Sequence, residues 1–255
     1  MFGTVPRTIW SKLAPPDEEN RIRLATRSLV IRAGERVFMV DAGMGDRWTE
    51  KLRRIYDIRP AADNEADLDP ASVTDIVLTH LHFDHAAGIF RRRAGTEDEV
   101  DLHYPNARVH VQAANYENAG KPNVRERASY LQEDLRLLGR TQLVLSSGSQ
   151  EIYPGIRLHR TDGHTRGHQW VEVRDGEACI AFPSDMVPTS RHLPLPYLMS
   201  YDIAAGILLE EKDDLLSRAV AERWILVFGH DPDVAAARIK RDERGHYAVE
   251  ETVAL

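Results

Sequence analysis

The sequence contains a single cysteine, Cys179, among 255 residues. One cysteine cannot form a disulfide within the chain, and a zinc site built from thiolates needs several of them. A metal ion in this protein would therefore have to be held by imidazole and carboxylate groups. Cys179 stands within the apolar run EACIAFP, and we expect it to be a core residue.

Long apolar runs are also missing. No stretch approaches the roughly 18 residues that a membrane-spanning helix needs, and the opening residues MFGTVPRTIW lack the basic and apolar regions of a signal peptide. We therefore expect a cytoplasmic protein without a membrane partner.

An excess of positive charge is the third absence. The sequence has 33 Lys and Arg against 40 Asp and Glu, a formal net charge of -7, whereas nucleic-acid-binding proteins need a basic surface to neutralise phosphates. The run Arg91-Arg92-Arg93 is a local exception. We interpret it as a solvated face that follows a helix, with contact to an acidic substrate as the alternative. Nucleic acid is therefore not an expected partner.

The pattern of short apolar strands and amphipathic helices predicts an α/β protein with two sheets and helices outside them, in one continuous domain of residues 1–255. Turn dipeptides at Gly34-Glu35, Asp175-Gly176 and Arg244-Gly245 predict three hairpins. The predicted strands occupy residues 27–41, 75–79, 108–111, 155–160, 169–174, 177–183 and 225–230. Helices are predicted near residues 48–56, 124–138 and 203–221, and a loop is predicted over residues 59–70.

Histidine is abundant, with 11 residues, and it is concentrated in the motif His80-Leu81-His82-Phe83-Asp84-His85. With this composition, the pattern HxHxDH arises by accident with a chance of about 2 in 1,000. His80 and His82 project to the same side of an extended chain, so both can approach one cation. Imidazole and carboxylate ligands suit zinc, manganese or iron. The alternative is a set of exposed histidines at the start of a helix.

The motif, placed after the strand DIVLT, resembles the signature of the metallo-β-lactamase-fold hydrolases. Four further motifs of that family follow the expected order, and the resemblance spans residues 27–231. They are Val40-Asp41-Ala42-Gly43, Gly163-His164-Thr165, Ser184-Asp185 and Gly229-His230. The resemblance implies an αββα four-layer sandwich with two mixed sheets and helices outside.

The resemblance also implies a site for two divalent metal ions, with zinc as the first choice and manganese, iron or cobalt as alternatives. One ion would be bound by His80, His82 and His164, the other by Asp84, His85 and His230, with Asp185 bridging them. Asp84 and Asp185 are the implied catalytic residues. Asp41 would support the ligands without binding metal, and we expect the same of His168.

Within the family, the FGxVP segment near the start and the stretch PSDMVPTSRHLPLPY resemble the N-acyl homoserine lactonases. The implied reaction is attack by a metal-bridging hydroxide on a lactone or ester carbonyl, with Asp84 transferring the proton. A small-molecule ester or lactone is the expected partner. The alternatives are a thioesterase of the glyoxalase II type, an arylesterase or organophosphate hydrolase, an iron-dependent sulfur dioxygenase and a binding module without activity.

The sequence departs from the lactonase pattern at Pro188, where relatives place a tyrosine that binds the substrate carbonyl. His192, Tyr197 and Tyr201 are the candidates to replace it in the substrate pocket. We also expect residues 90–150 to form an insertion that partly covers the site. A homodimer is implied by the family.

Overall fold

The structure is a computed structural model that describes residues 1–59, 68–96 and 99–255. The described strands, in chain order, are β1 (Leu29–Ala33), β2 (Arg36–Val40), β3 (Asp75–Val77), β4 (Phe90–Arg92), β5 (Val100–Leu102), β6 (Arg108–Gln112), β7 (Gln142–Ser146), β8 (Gln150–Tyr153), β9 (Ile156–Thr161), β10 (His168–Asp175), β11 (Ala178–Phe182), β12 (Ile225–Val227), β13 (Ala236–Arg241) and β14 (Tyr247–Thr252). The described helices are α1 (Arg7–Leu13), α2 (Glu50–Tyr56), α3 (Phe83–Ala86), α4 (Ala113–Gly120), α5 (Gln132–Leu138) and α6 (Ala205–Ala221).

The first sheet has the strand order β1-β2-β3-β6-β7. β1 and β2 form the predicted hairpin, and Gly34 in its turn has a φ of 58°, a conformation that glycine adopts without strain. From β2 to β7 all neighbouring strands are parallel. Parallel strands are normally covered on both faces, which agrees with the complete burial of β3.

The second sheet has the order β14-β13-β12-β11-β10-β9-β8 and is antiparallel except for the parallel pair β11 and β12. The hairpins predicted at Asp175-Gly176 and Arg244-Gly245 join β10 to β11 and β13 to β14. Helix α6 makes the crossover between the two parallel strands, since it lies between β11 and β12 in the chain.

Three apolar clusters define the layers. The middle cluster contains side chains from both sheets and fills the space between them: Phe38, Val40, Val77, Ile156, Leu158, Val171, Phe182, Val227 and Ala236. On the outer face of the second sheet, Leu208 and Leu215 of α6 pack near Trp170. On the outer face of the first sheet, Leu138 of α5 packs near Val109. The predicted two mixed sheets with helices outside are confirmed.

The helix predicted over residues 124–138 is shorter than expected. Within this range, only Gln132–Leu138 form an α-helix, which is α5. A single 3-10 turn at Arg127–Ser129 precedes it. The Asn123 side chain accepts hydrogen bonds from the backbone N–H groups of Arg125 and Glu126, which closes a local turn in place of a helix. Hydrogen bonds of Glu126 and Tyr130 with Thr165 then hold this segment in place.

Helix α2 lies close to its predicted position but does not bury its apolar face. It begins after Thr49, whose hydroxyl accepts a hydrogen bond from the N–H of Leu52. Ile55 and Tyr56 are 47% and 49% exposed. These two apolar residues of α2 therefore lie at the protein surface. The loop predicted over residues 59–70 falls mostly outside the described residues.

Residues 90–150, the predicted insertion, contribute to different parts of the fold. β6 and β7 belong to the first sheet itself, whereas β4 and β5 form a separate two-stranded sheet. Arg91 and Arg92 lie on strand β4, which directly follows α3 and a 3-10 turn at Ala87–Ile89, and both are exposed as expected of a solvated face.

Cys179 is buried with a free thiol, as expected. Among the described residues, no helix combines the length and apolar character needed to cross a membrane.

Candidate metal centre

The HxHxDH motif lies just beyond the carboxyl end of β3. His80 and His82 occupy the extended segment after the strand, and the chain then turns into α3, which carries Asp84 and His85. The three histidines are 0–5% exposed. A short buried strand followed at once by a helix start thus brings all four predicted ligands to one end of the first sheet.

The remaining predicted ligands come from the second sheet. His164 follows β9, Asp185 lies in a 3-10 turn after β11, and His230 follows β12. Each is at most 6% exposed. Because the two sheets pack face to face, strand ends that are far apart in sequence meet at one edge of the sandwich.

The ligand atoms form two clusters. In the first, His82 Nδ1 lies 2.9 Å from His80 Nε2 and 3.3 Å from His164 Nε2, and Asp185 completes the set. In the second, His230 Nε2 lies 3.1 Å from His85 Nε2, and Asp84 is the third member. Within each cluster, all ligand atoms lie within 4.8 Å of one another.

Asp185 lies between the two clusters. Its Oδ2 is 3.2 Å from His164 Nε2, and its Oδ1 is 2.9 Å from His230 Nε2. One carboxylate oxygen therefore faces each cluster. This is the arrangement expected of a bridging ligand between two ions.

Hydrogen bonds at the opposite ring nitrogens orient the histidines. His85 Nδ1 lies 2.8 Å from Asp41 Oδ2, and His164 Nδ1 lies 2.8 Å from Asp202 Oδ1. His230 Nδ1 lies 2.8 Å from the carbonyl oxygen of Ala25. Partners of this kind fix the ring so that Nε2 is the free nitrogen facing the cluster. Asp41 thus contacts the ring nitrogen of His85 that points away from the cluster.

The donor set fits two divalent cations. When each ring carries its proton on the nitrogen that points away from the cluster, the nitrogens that face one another at about 3 Å present only lone pairs, and a cation placed among them relieves their repulsion. Burial, together with neighbouring His85, lowers the pKa of His80 well below its usual value, which keeps the ring in the neutral, metal-binding form. Burial also opposes charge on Asp185, yet the surrounding histidines hold its pKa well below the usual range.

Residues 21–230 match the sequence pattern of the metallo-beta-lactamase superfamily. The chain belongs to this superfamily. Over 166 residues it is 26% identical to an N-acyl homoserine lactonase of a Bacillus species, which covers 64% of this chain and 58% of the relative. The chain thus matches less than two thirds of that relative's length.

Two solved structures illustrate the likeness in fold. A probable metal-dependent hydrolase from Staphylococcus aureus superposes with a TM-score of 0.85 at 25% identity, over 100% of this chain and 92% of the other. AidC, a dizinc quorum-quenching lactonase in complex with a product, superposes with a TM-score of 0.72 at 18% identity, over 91% and 81% of the two chains.

Two supporting residues of this superfamily member escaped the sequence prediction. Asp202, which holds His164, lies 38 positions further along the chain and stands in no recognisable motif. Thr79 is the residue before His80, and its hydroxyl lies 2.9 Å from Asp41 Oδ2 and 2.9 Å from Ser184 Oγ. A threonine directly preceding HxHxDH was the available signal for the second of these.

His168 is fully buried beside the first cluster, with its ring centre 5.2 Å from that of His80. Its Nδ1 lies 2.7 Å from the hydroxyl of Thr161. It is absent from both groups of converging ligand atoms among the described residues. The supporting role expected for it stays a prediction.

The three pocket candidates occupy different surroundings. His192 is 1% exposed and stacks on Phe2 at a ring distance of 4.6 Å, and burial lowers its pKa to about 3. Tyr197 contacts the same Phe2 ring edge to face. Tyr201 is 57% exposed, and burial of part of its ring, with nearby Tyr56 and Asp84, raises its pKa. Of the three, Tyr201 is the exposed one, and it lies near enough to the predicted ligand Asp84 to interact with it electrostatically.

A buried lysine of helix α6 anchors the loop that follows Asp185. Lys212 of α6 is fully buried, and its ammonium group donates hydrogen bonds of 3.0 Å to the carbonyl oxygens of Pro194 and Tyr197. The loop ends at Asp202, which accepts a hydrogen bond from the N–H of Met199. Both ends of this loop therefore belong to the metal centre.

Proposed function

We propose that this protein is a metal-dependent hydrolase that opens lactones or cleaves carboxylic esters, with N-acyl homoserine lactones as the favoured substrate class. The observation that carries the proposal is the placement of Asp185 between two clusters of buried histidine and carboxylate ligands. The similarity to lactonases supports the choice of substrate. We assign two divalent ions to the site, with zinc as the first choice.

Two divalent ions held in this way lower the pKa of water toward neutrality and polarise a carbonyl oxygen. His80, His82 and His164 would hold one ion, and Asp84, His85 and His230 the other.

Asp84 is the proposed proton carrier. Its side chain is 29% exposed, compared with 8% for the side chain of Asp185, so Asp84 is the more solvent-accessible of the two carboxylates while it remains in the second cluster. In this role its carboxylate accepts the proton released when water attacks the carbonyl carbon and returns it to the leaving oxygen. The phenol of Tyr201, on the same side, is the proposed hydrogen-bond donor to the substrate in place of the tyrosine absent at Pro188.

Aromatic side chains beside Asp84 support an apolar substituent on the substrate. Phe83 lies 5.1 Å from Trp48 and 5.6 Å from Tyr56, measured between ring centres. Tyr56 is half exposed, which leaves apolar surface available next to the metal centre. An acyl or aryl group could cover this surface, whereas the net charge of -7 disfavours a polyanionic substrate.

The test is hydrolysis by protein purified without added metal and then loaded with zinc, manganese or cobalt. We expect turnover of homoserine lactones of several acyl lengths, measured by proton release, to exceed turnover of an aryl ester, a thioester and a phosphotriester. Protein that binds two equivalents of metal but hydrolyses none of these compounds, or that consumes oxygen with a glutathione persulfide, would contradict the proposal.

Metal removal should also lower stability, because the ions bind the folded state and leave buried ligands unpaired when absent. An ion present at 100 times its dissociation constant contributes about 2.7 kcal/mol. We expect the melting temperature to fall after treatment with a chelator and to recover on addition of zinc. Elemental analysis would show whether the chelator has removed the metal. If the metal is gone and the melting temperature is unchanged, the result would argue against a filled site.

A further inference from the structure

The start of helix α4 lies against two of the ligand-bearing loops. Its side chain Asn115 is fully buried and makes one hydrogen bond to each loop. Asn115 Oδ1 accepts a hydrogen bond of 2.9 Å from the N–H of Leu81, which stands between His80 and His82. Asn115 Nδ2 donates one of 2.9 Å to the carbonyl oxygen of Arg166, two residues after His164.

The contact between α4 and the second loop is tight. A Cβ atom on Gly167 would lie 2.4 Å from the backbone nitrogen of Asn115, and Gly167 has a φ of 74°. Little room therefore remains for the loop to shift relative to the helix. The backbone contact at Gly167 and the two amide hydrogen bonds of Asn115 therefore hold the second loop against α4 together.

Neighbouring residues of the same part of the chain reinforce this link. The buried carboxylate of Glu126 accepts a hydrogen bond of 2.8 Å from the hydroxyl of Thr165, the residue after His164. The hydroxyl of Tyr130 lies 2.8 Å from the same threonine oxygen, and the Tyr130 ring lies 4.8 Å from the ring of His82. The contacts reach the loops of the first cluster from its outer side.

The second cluster is supported by other residues. His85 is oriented by Asp41, and His230 by the carbonyl oxygen of Ala25. We propose that Asn115 is a positioning residue for the first cluster, where it fixes the distance between the His80–His82 segment and His164. The proposal rests on the metal-binding part of the proposed function.

The experiment compares Asn115→Ala and Asn115→Asp with wild type. Each metal-free protein is titrated with zinc against a chromophoric chelator, and the titration is repeated in a His230→Ala background, which retains the ligands of the first cluster. Partners of metal ligands contribute about 10–100-fold to metal affinity. We expect Asn115→Ala to weaken the first site by about this factor and to leave the second site within about threefold.

Asn115→Asp keeps the acceptor for Leu81 but loses the donor to Arg166, so we expect an intermediate affinity. It also provides the comparison if the alanine variant does not fold. The matched control is Asn106→Ala. The exposed Asn106 likewise donates an amide hydrogen bond to a backbone carbonyl, that of Ala71, and we expect its loss to leave both affinities unchanged.

Thermal unfolding of the metal-free proteins separates positioning from a general role in folding. Equal weakening of both sites, accompanied by a lower melting temperature of metal-free Asn115→Asp, would overturn the proposal. So would unchanged affinities in both Asn115 variants while wild type binds two ions. Wild-type protein that binds no zinc would overturn the metal-dependent function as well, so the two failures are distinguishable.

Discussion

Asp185→Asn is expected to reduce lactone hydrolysis by about 10³-fold and to lower the number of bound ions. Indirect partners of metal ligands already contribute about 10–100-fold, and Asp185 faces both clusters directly, so its loss should cost more. Asparagine preserves the volume and one oxygen but removes the negative charge that would face the cation in each cluster. Elemental analysis and the initial rate at saturating zinc would measure the two effects.

The control for this variant is Asp75→Asn. Asp75 is also fully buried, but it lies at the opposite end of β3, where it accepts hydrogen bonds from Arg36 and from His110. Removing the charge there should destabilise the fold by about 3 kcal/mol while both ions remain bound. Wild-type rates and two bound ions in Asp185→Asn would disprove the bridging assignment.

Gly88→Ala is expected to be the most destabilising single methyl addition near the site. A Cβ atom at this position would lie 1.8 Å from the carbonyl oxygen of Ala42, so the backbone must move. The same segment carries Asp41, which orients His85. We expect a loss of about 3 kcal/mol or more and a melting temperature lower by about 6–12 °C.

Gly206→Ala is the matched control, because the Cβ position at Gly206 has no neighbour within 4 Å and the residue lies in α6. There the substitution should stabilise the protein by up to about 1 kcal/mol. Similar melting temperatures for the two variants would show that the backbone around Ala42 can move without loss of stability.

More of the metal centre than of its surroundings could be predicted from the sequence, because the predicted ligands stand in short motifs of consecutive residues. The seven predicted ligands, four of which belong to HxHxDH, stand at or just after strand ends, where chain direction and spacing define the geometry. Asp202 and Asn115 could not be found in this way, because each acts through a contact with a segment distant in sequence. Their residue types occur throughout the chain without such a role.

Periodicity was informative where a helix packs on a sheet and misleading elsewhere. Leu208 and Leu215 on α6 are buried as their spacing predicts. The spacing around Leu131 predicted a helix that began too early, because the polar contacts of Glu126 and Tyr130 with Thr165 determine the chain path there. Tertiary hydrogen bonds therefore outweighed local helix preference.

The burial of Cys179 has a practical consequence for spectroscopy. Burial raises the pKa of its thiol to about 12, and the thiolate is the form that reacts with alkylating reagents. Since the sequence has no second cysteine, a cysteine introduced at Val124, which is 85% exposed, would be labelled selectively by a maleimide dye. A fluorophore at this position, two residues from Glu126, could report metal uptake without replacement of Cys179.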